Sequence, residues 1–247
     1  MSVAPGTRPR RAQPAPSDYT QLLRRIQDQG LLRRRYAFYA VNLVAVVAAF
    51  GVVWVVFFAV GNSWMQLFVA AAFGVVLAQV GFLGHDAAHR QVFRSGPRND
   101  LLASLLGGLS GMSATWWMHK HNAHHAAPNH IGRDPDIGLT VVRVFPADKP
   151  PRSRILAMLG RNQGWLLFPL LTLQAVGLHT QSVRTLLGRG PVKHRSLELV
   201  LMVLRIGGYL AVLVIFLPPG LAAAFLGVQL AVLGLYLGGS FAPNHKG

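Results

Sequence analysis

From Ala37 to Val60 the chain runs for 24 residues without a charged side chain, more than the roughly 20 that cross the apolar core of a bilayer as a helix. Such a stretch leaves little freedom of fold. Lipid offers no partner for backbone N–H and C=O groups, so they must pair with one another inside a helix. Trp64 to Gly84 is again uncharged, and Gly61-Asn62-Ser63 supplies a turn between the two, which predicts a helical hairpin. Leu199 to Leu217, interrupted by Arg205, and Leu221 to Phe241 predict a second hairpin around the breaker Pro218-Pro219-Gly220. The fold class is therefore all-α integral membrane, with four transmembrane helices as two hairpins. Two shorter apolar stretches, Leu101 to Trp117 and Trp165 to Leu178, fit interfacial or re-entrant helices better than full spans. Composition agrees, since 52% of residues are hydrophobic and 13% charged, against roughly 25% charged in soluble domains.

Charge sets the expected orientation. The net charge of +16 would point to nucleic acid in a polar chain, but here the apolar fraction argues against that. Residues 1–36 hold eight arginines against Asp18 and Asp28, with four prolines before Asp18. They are expected to form a disordered basic start that runs into an amphipathic, membrane-surface stretch near Tyr19 to Arg35, followed by a membrane domain over 37–247. The segment from His85 to Ser196 carries a net +9, and the two short turns carry no charge. By the positive-inside rule, both termini and the middle segment face the cytoplasm. Span one exceeds the apolar region of about 7–15 residues in a secretory signal, so it is expected to be an uncleaved anchor. With no cysteine, disulfides, thiolate-ligated haem, Cys-ligated iron–sulfur clusters and Cys-type zinc sites are excluded within these residues.

Ten histidines occur, and their placement matters more than their number. His85 and His89 close span two, and on a helix positions i and i+4 share a face. His121, His124 and His125 follow the apolar stretch ending in Trp116-Trp117 and share a face by the same rule. Either cluster alone is compatible with a solvated helix end. Both together, beside a membrane span in a chain with only 8 acidic residues, point to a shared metal site. Five imidazoles suit zinc, copper, iron or nickel, and exceed the three or four protein ligands of one tetrahedral zinc, so two metals are the more natural count. A zinc hydrolase of the His-Glu-x-x-His type needs glutamate beside the first histidine, whereas positions 86 and 122 are Asp and Asn. A bis-His haem needs single histidines on opposed helices. Redox-active iron at the mouth of a lipid-facing pocket fits best.

The boxes His85-x-x-x-His89 and His121-x-x-His124-His125 resemble the first two histidine boxes of the membrane fatty acid desaturases. So do the flanking Gly84-His85-Asp86-Ala87-Ala88-His89-Arg90, Trp116-Trp117, Asp134-Pro135-Asp136-Ile137 and the terminal Phe241-Ala242-Pro243-Asn244-His245-Lys246-Gly247. The resemblance runs from about residue 36 to the end. It implies four spans and a cytoplasmic site of two non-haem irons that uses O2 and two external electrons to remove two hydrogens from an acyl chain. Carried over by position, it makes His85, His89, His121, His124, His125 and His245 iron ligands, with no catalytic residue beyond them. Asp86, Asp134, Asp136 and Asn244 are candidates to hold the ligands from behind. The family carries a third box, x-x-x-His-His, after the last span, and none precedes Gly247. The expectation is therefore a truncated chain whose activity is reduced or lost.

The implied substrate is an acyl-lipid or acyl-CoA, and the implied partner a separate electron-transfer protein docking on the basic face. Related di-iron lipid hydroxylases and ketolases use similar boxes, and a non-enzymatic metal-binding membrane fragment is the third reading. His119, His130, His179 and His194 have no motif partner and are expected to play plain surface or interfacial roles. Arg205 is expected to face a cytoplasmic cavity or to snorkel.

Overall fold

The structure, a computed structural model, describes residues 17–137 and 153–244, side chains at 156 and 242–244 excepted. Two units emerge, residues 1–35 and 36–247. In the first, Ser17 caps helix α1 (Asp18–Asp28) by accepting the Thr20 N–H at 3.3 Å. Tyr19, Leu22, Leu23 and Ile26 recur at i, i+3, i+4 and i+7 in α1, the stripe of an amphipathic helix.

The second unit is all helix among the described residues. Helices α2 (Tyr36–Val60) and α3 (Gln66–Ala88) form the first hairpin. The buried Gln66 amide sutures their turn by donating to the carbonyls of Phe57 at 2.7 Å and Gly61 at 2.8 Å. Then come α4 (Gly96–Ser110), α5 (Ala114–Ala126), α6 (Arg154–Arg161), α7 (Gln163–Leu171) and α8 (Gln174–Leu187). The second hairpin is α9 (Arg195–Met202), a π-helical segment (Val203–Gly208) and α10 (Tyr209–Phe216), which together make one 22-residue rod, followed by α11 (Pro219–Asn244). Four helices are long and apolar enough to span a membrane, 36–60, 66–88, 195–216 and 219–241. All four predicted spans are present, with the second and third longer at their polar ends.

The spans meet around one apolar cluster that includes Phe57, Phe73, Leu77, Leu213, Phe225 and Leu233. Aromatic edges organise it: Trp54 meets Phe73 with centroids 5.1 Å apart and Phe57 meets Phe225 at 5.5 Å. Lipid is as apolar as this core, so packing and interhelical hydrogen bonds hold such a bundle together. Tyr209 donates to Gln229 Oε1 across the two halves of the second hairpin at 3.2 Å. Gly74 allows α3 to lie against α11, for a Cβ there would stand 2.9 Å from the Gln229 carbonyl oxygen.

The predicted short apolar stretches are broken more finely than their composition indicated. Residues 101–117 belong to two helices, α4 and α5, separated at Gly111, whose φ of +82° closes α4 in the left-handed conformation that side chains disfavour. Residues 165–178 fall in α7 and α8, with Pro169 inside α7. α4 packs along α3 and reaches α9.

Candidate metal centre

Helix α3 runs past the apolar boundary to Ala88, because Gly84-His85-Asp86-Ala87-Ala88 contains no breaker. His85 therefore stands on the end of span two, and His89 is its C-cap. α5 begins at the N-cap Ser113, whose hydroxyl accepts the Trp116 N–H at 3.2 Å, and it carries His121, His124 and His125 in its last two turns. The two helix ends face each other.

Four imidazoles converge between them. Ring centroids lie 4.5 Å apart for His85 and His89, 5.0 Å for His85 and His121, 5.0 Å for His89 and His125, and 4.4 Å for His121 and His125. His121 Nε2 stands 2.9 Å from His89 Nε2 and 3.0 Å from His125 Nε2. A neutral ring nitrogen carries either one proton or one lone pair, so hydrogen bonding satisfies this three-nitrogen contact only in part. A cation facing the lone pairs satisfies it fully. Two imidazole nitrogens about 2.1 Å from a shared metal and at right angles stand roughly 3.0 Å apart, which is the spacing found here. Ligand atoms of His85, His89 and His121 all lie within 4.8 Å of one another.

His124 stands beside this group, its ring centroid 6.4 Å from that of His121 and 5.6 Å from that of His125. Its Nδ1 lies 2.9 Å and 3.0 Å from the two carboxylate oxygens of the buried Asp134 and 3.5 Å from Asp136 Oδ2. A carboxylate only accepts, so Nδ1 carries the proton and Nε2 keeps its lone pair for a metal. Burial taken alone raises the Asp134 pKa, but the Asp136 N–H, the His124 ring and the Asn129 N–H outweigh it, so the carboxyl sits below its ordinary value. The two N–H groups each donate at 2.8 Å. Asp136 also pairs with Lys120 Nζ.

Asp86 is less direct. It lies 3.6 Å from His85 Nδ1 and accepts the Tyr39 hydroxyl at 3.3 Å. Tyr39 on α2 was not singled out by the sequence, because a lone tyrosine in an apolar span has no motif. Trp117 had been noted only as part of a motif, yet its ring stacks on His121 at 4.1 Å and lies 5.4 Å from His85, forming an apolar wall. Phe241 meets His85 from α11 at 5.3 Å. His245 and the side chain of Asn244 lie outside the described residues. His119, His130 and His194 are exposed, in line with their expected surface roles. His179 departs from that expectation, since its Nδ1 meets the Ala175 carbonyl at 2.5 Å and a Cβ on Gly111 would come within 2.5 Å of its ring. Burial lowers its pKa, and the Arg205 charge adds to that against the opposing Ala175 and Ser110 carbonyls.

Four membrane-length helices, with imidazoles clustered between the ends of α3 and α5, define an all-α membrane protein with a histidine-rich group that could hold a metal. The family model for fatty acid desaturases matches residues 62–247, and the chain belongs to that family. Over 201 residues it is 25% identical to the Delta(8)-fatty-acid desaturase of Helianthus annuus, covering 74% of this chain and 43% of the sunflower enzyme. The chain thus spans less than half the length of that relative. No solved structure matches it significantly.

Proposed function

We propose that this chain is the membrane and metal-binding part of an O2-dependent acyl-chain desaturase, with His85, His89, His121, His124 and His125 holding two non-haem irons and His245 as a further ligand. The observation that carries this is the three-nitrogen contact of His89, His121 and His125, formed between the ends of α3 and α5, which the whole of α4 separates in sequence. An all-imidazole donor set backed by carboxylates suits iron as well as zinc, copper or nickel. The family identity favours iron. Iron, if bound, would activate O2 for attack on unactivated C–H bonds, chemistry that no side chain can supply.

The balance requires an outside reductant. Two C–H hydrogens leave the acyl chain as a double bond forms, and O2 takes up those hydrogens together with two electrons and two protons to give two waters. The protein's own side chains bind and orient. Asp134 holds the His124 ring through Nδ1 and so leaves Nε2 for a metal, Asp86 and Tyr39 back His85, and Trp117 with Phe241 exclude water from its apolar side. Substrate would be an acyl-lipid or acyl-CoA, and electrons would come from a separate protein drawn to the basic middle segment.

The test is iron content. In the purified chain loaded with Fe(II) under anaerobic conditions, H121A and H125A lose bound iron, and H194A keeps it. Equal iron in all three contradicts the assignment. Orientation has its own test: cysteines placed as N62C and G220C react with an impermeant thiol reagent from outside, and S95C does not. Labelling of S95C from outside overturns the cytoplasmic placement of the boxes.

A further inference from the structure

Helix ends at membrane depth need partners, because the last C=O groups of one helix and the first N–H groups of the next have none of their own. The α4–α5 turn presents both kinds of end. At the end of α4, the N–H groups of Gly111 and Met112 bond the Gly108 and Gly107 carbonyls at 3.0 Å and 2.8 Å. The Leu109 carbonyl accepts instead from Arg205 Nε at 2.9 Å. At the start of α5, the carboxylate of Glu198 accepts three bonds: from Ser113 Oγ at 2.5 Å, Thr115 Oγ1 at 2.6 Å and the Thr115 N–H at 3.1 Å.

Glu198 is the only glutamate in the chain and is 3% exposed. Arg205 lies seven residues further along the same span and stacks over the Tyr209 ring at 4.4 Å, with no carboxylate pairing to it among the described residues. Each charge faces the helix end whose dipole it complements: the cation meets the carbonyl end of α4, and the anion meets the amide end of α5. Gly108 packs directly on Leu201 between them.

We propose that Glu198 and Arg205 form a two-charge clamp on span three that grips the α4–α5 turn, and that they are positioning residues for the histidines at the far end of α5. The inference rests on the metal reading above for its second half only. α5 is 13 residues long and carries His121, His124 and His125 in its last two turns. With its first turn tied to span three by a buried carboxylate, a loss of that tie tilts the helix and displaces rings whose nitrogens stand 2.9 Å to 3.0 Å from partners on α3 and α5. The π-helical segment Val203–Gly208 carries Arg205, a local widening of the span of the kind found at functional sites.

The experiment compares E198Q, R205M and R205K with the unmodified chain in lipid nanodiscs, by two readouts. Amide hydrogen exchange on the metal-free protein reads the tie itself, and Co(II) titration with its ligand-field absorption reads the histidines. E198Q keeps one acceptor oxygen but loses the charge, so exchange at Thr115 and Trp116 should rise at least tenfold. Co(II) affinity should fall at least tenfold with altered absorption bands. R205M should loosen Co(II) binding, and R205K, which keeps a charged donor, should restore most of it. Unchanged exchange at Thr115 in E198Q overturns the clamp. Faster exchange with unchanged Co(II) affinity and absorption overturns the positioning role and leaves a purely structural contact. Should the unmodified chain bind no Co(II), the metal reading fails, while a rise in exchange still supports the clamp.

Discussion

The two span hairpins and the α4–α5 pair are all helix–turn–helix units, but the spans and the pair are held by opposite means. In the spans, buried aromatic and aliphatic side chains interlock, and polar contacts such as Tyr209 with Gln229 are few. In α4–α5, glycines and small residues bring the backbone close, and charges and hydroxyls make the attachments: Glu198, Arg205, Ser113 and Thr115. The first arrangement spreads its attachment over many contacts. The second concentrates its attachment in a few bonds, and the proposed metal centre, in which His121 Nε2 stands 2.9 Å from His89 Nε2 and 3.0 Å from His125 Nε2, depends on it.

The largest expected effect falls on the polar side of this comparison. The double variant H89A/H121A removes one proposed ligand from each helix end and should abolish tight iron binding, while leaving the unfolding midpoint of the metal-free form unchanged. A drop in that midpoint as large as that of a core variant would show that the two regions are not separate. F225A tests the apolar side. Phe225 is fully buried against Phe57, and the cavity alone costs about 2 kcal/mol at roughly 24 cal/mol per Å3. Its iron stoichiometry should match that of the unmodified chain.

Asp134→Asn sharpens the contrast within the centre. It replaces a carboxylate that accepts from His124, Asn129 and Asp136 by an amide with one acceptor oxygen. Iron affinity should fall about 10–100-fold, read by competition with a chelator. The smallest effect belongs to Lys193, whose pair with Asp100 at 3.1 Å is largely exposed. K193A should change stability by less than about 1 kcal/mol and leave iron affinity unaltered.

The sequence revealed the four spans because an uncharged run of about 20 residues has few alternatives to a membrane helix. Their polar ends were less visible. Apolarity ends at Gly84 and begins again at Leu199, but helical hydrogen bonding continues to Ala88 and starts at Arg195. That second cut placed Glu198 just outside the span and hid its relation to Arg205, although an isolated acid two turns before an isolated base was there to be noticed. The histidine boxes were legible because i, i+3 and i+4 spacing makes a face without knowledge of the fold. Asp134 reaches His124 only because the chain turns back through residues 127–134. His179 gave no signal at all, since its partner Gly111 lies on another helix.

The proposed chemistry requires that the histidines of α3 and α5 share a metal centre. X-ray absorption at the iron edge, on the purified chain loaded with Fe(II), addresses it most directly. A shared centre gives a nearest shell of nitrogen at about 2.1 Å with the outer-shell pattern of several imidazoles, and a reduced imidazole contribution in both H89A and H121A. A shell of oxygen alone, or an imidazole contribution that either substitution leaves unchanged, would contradict it.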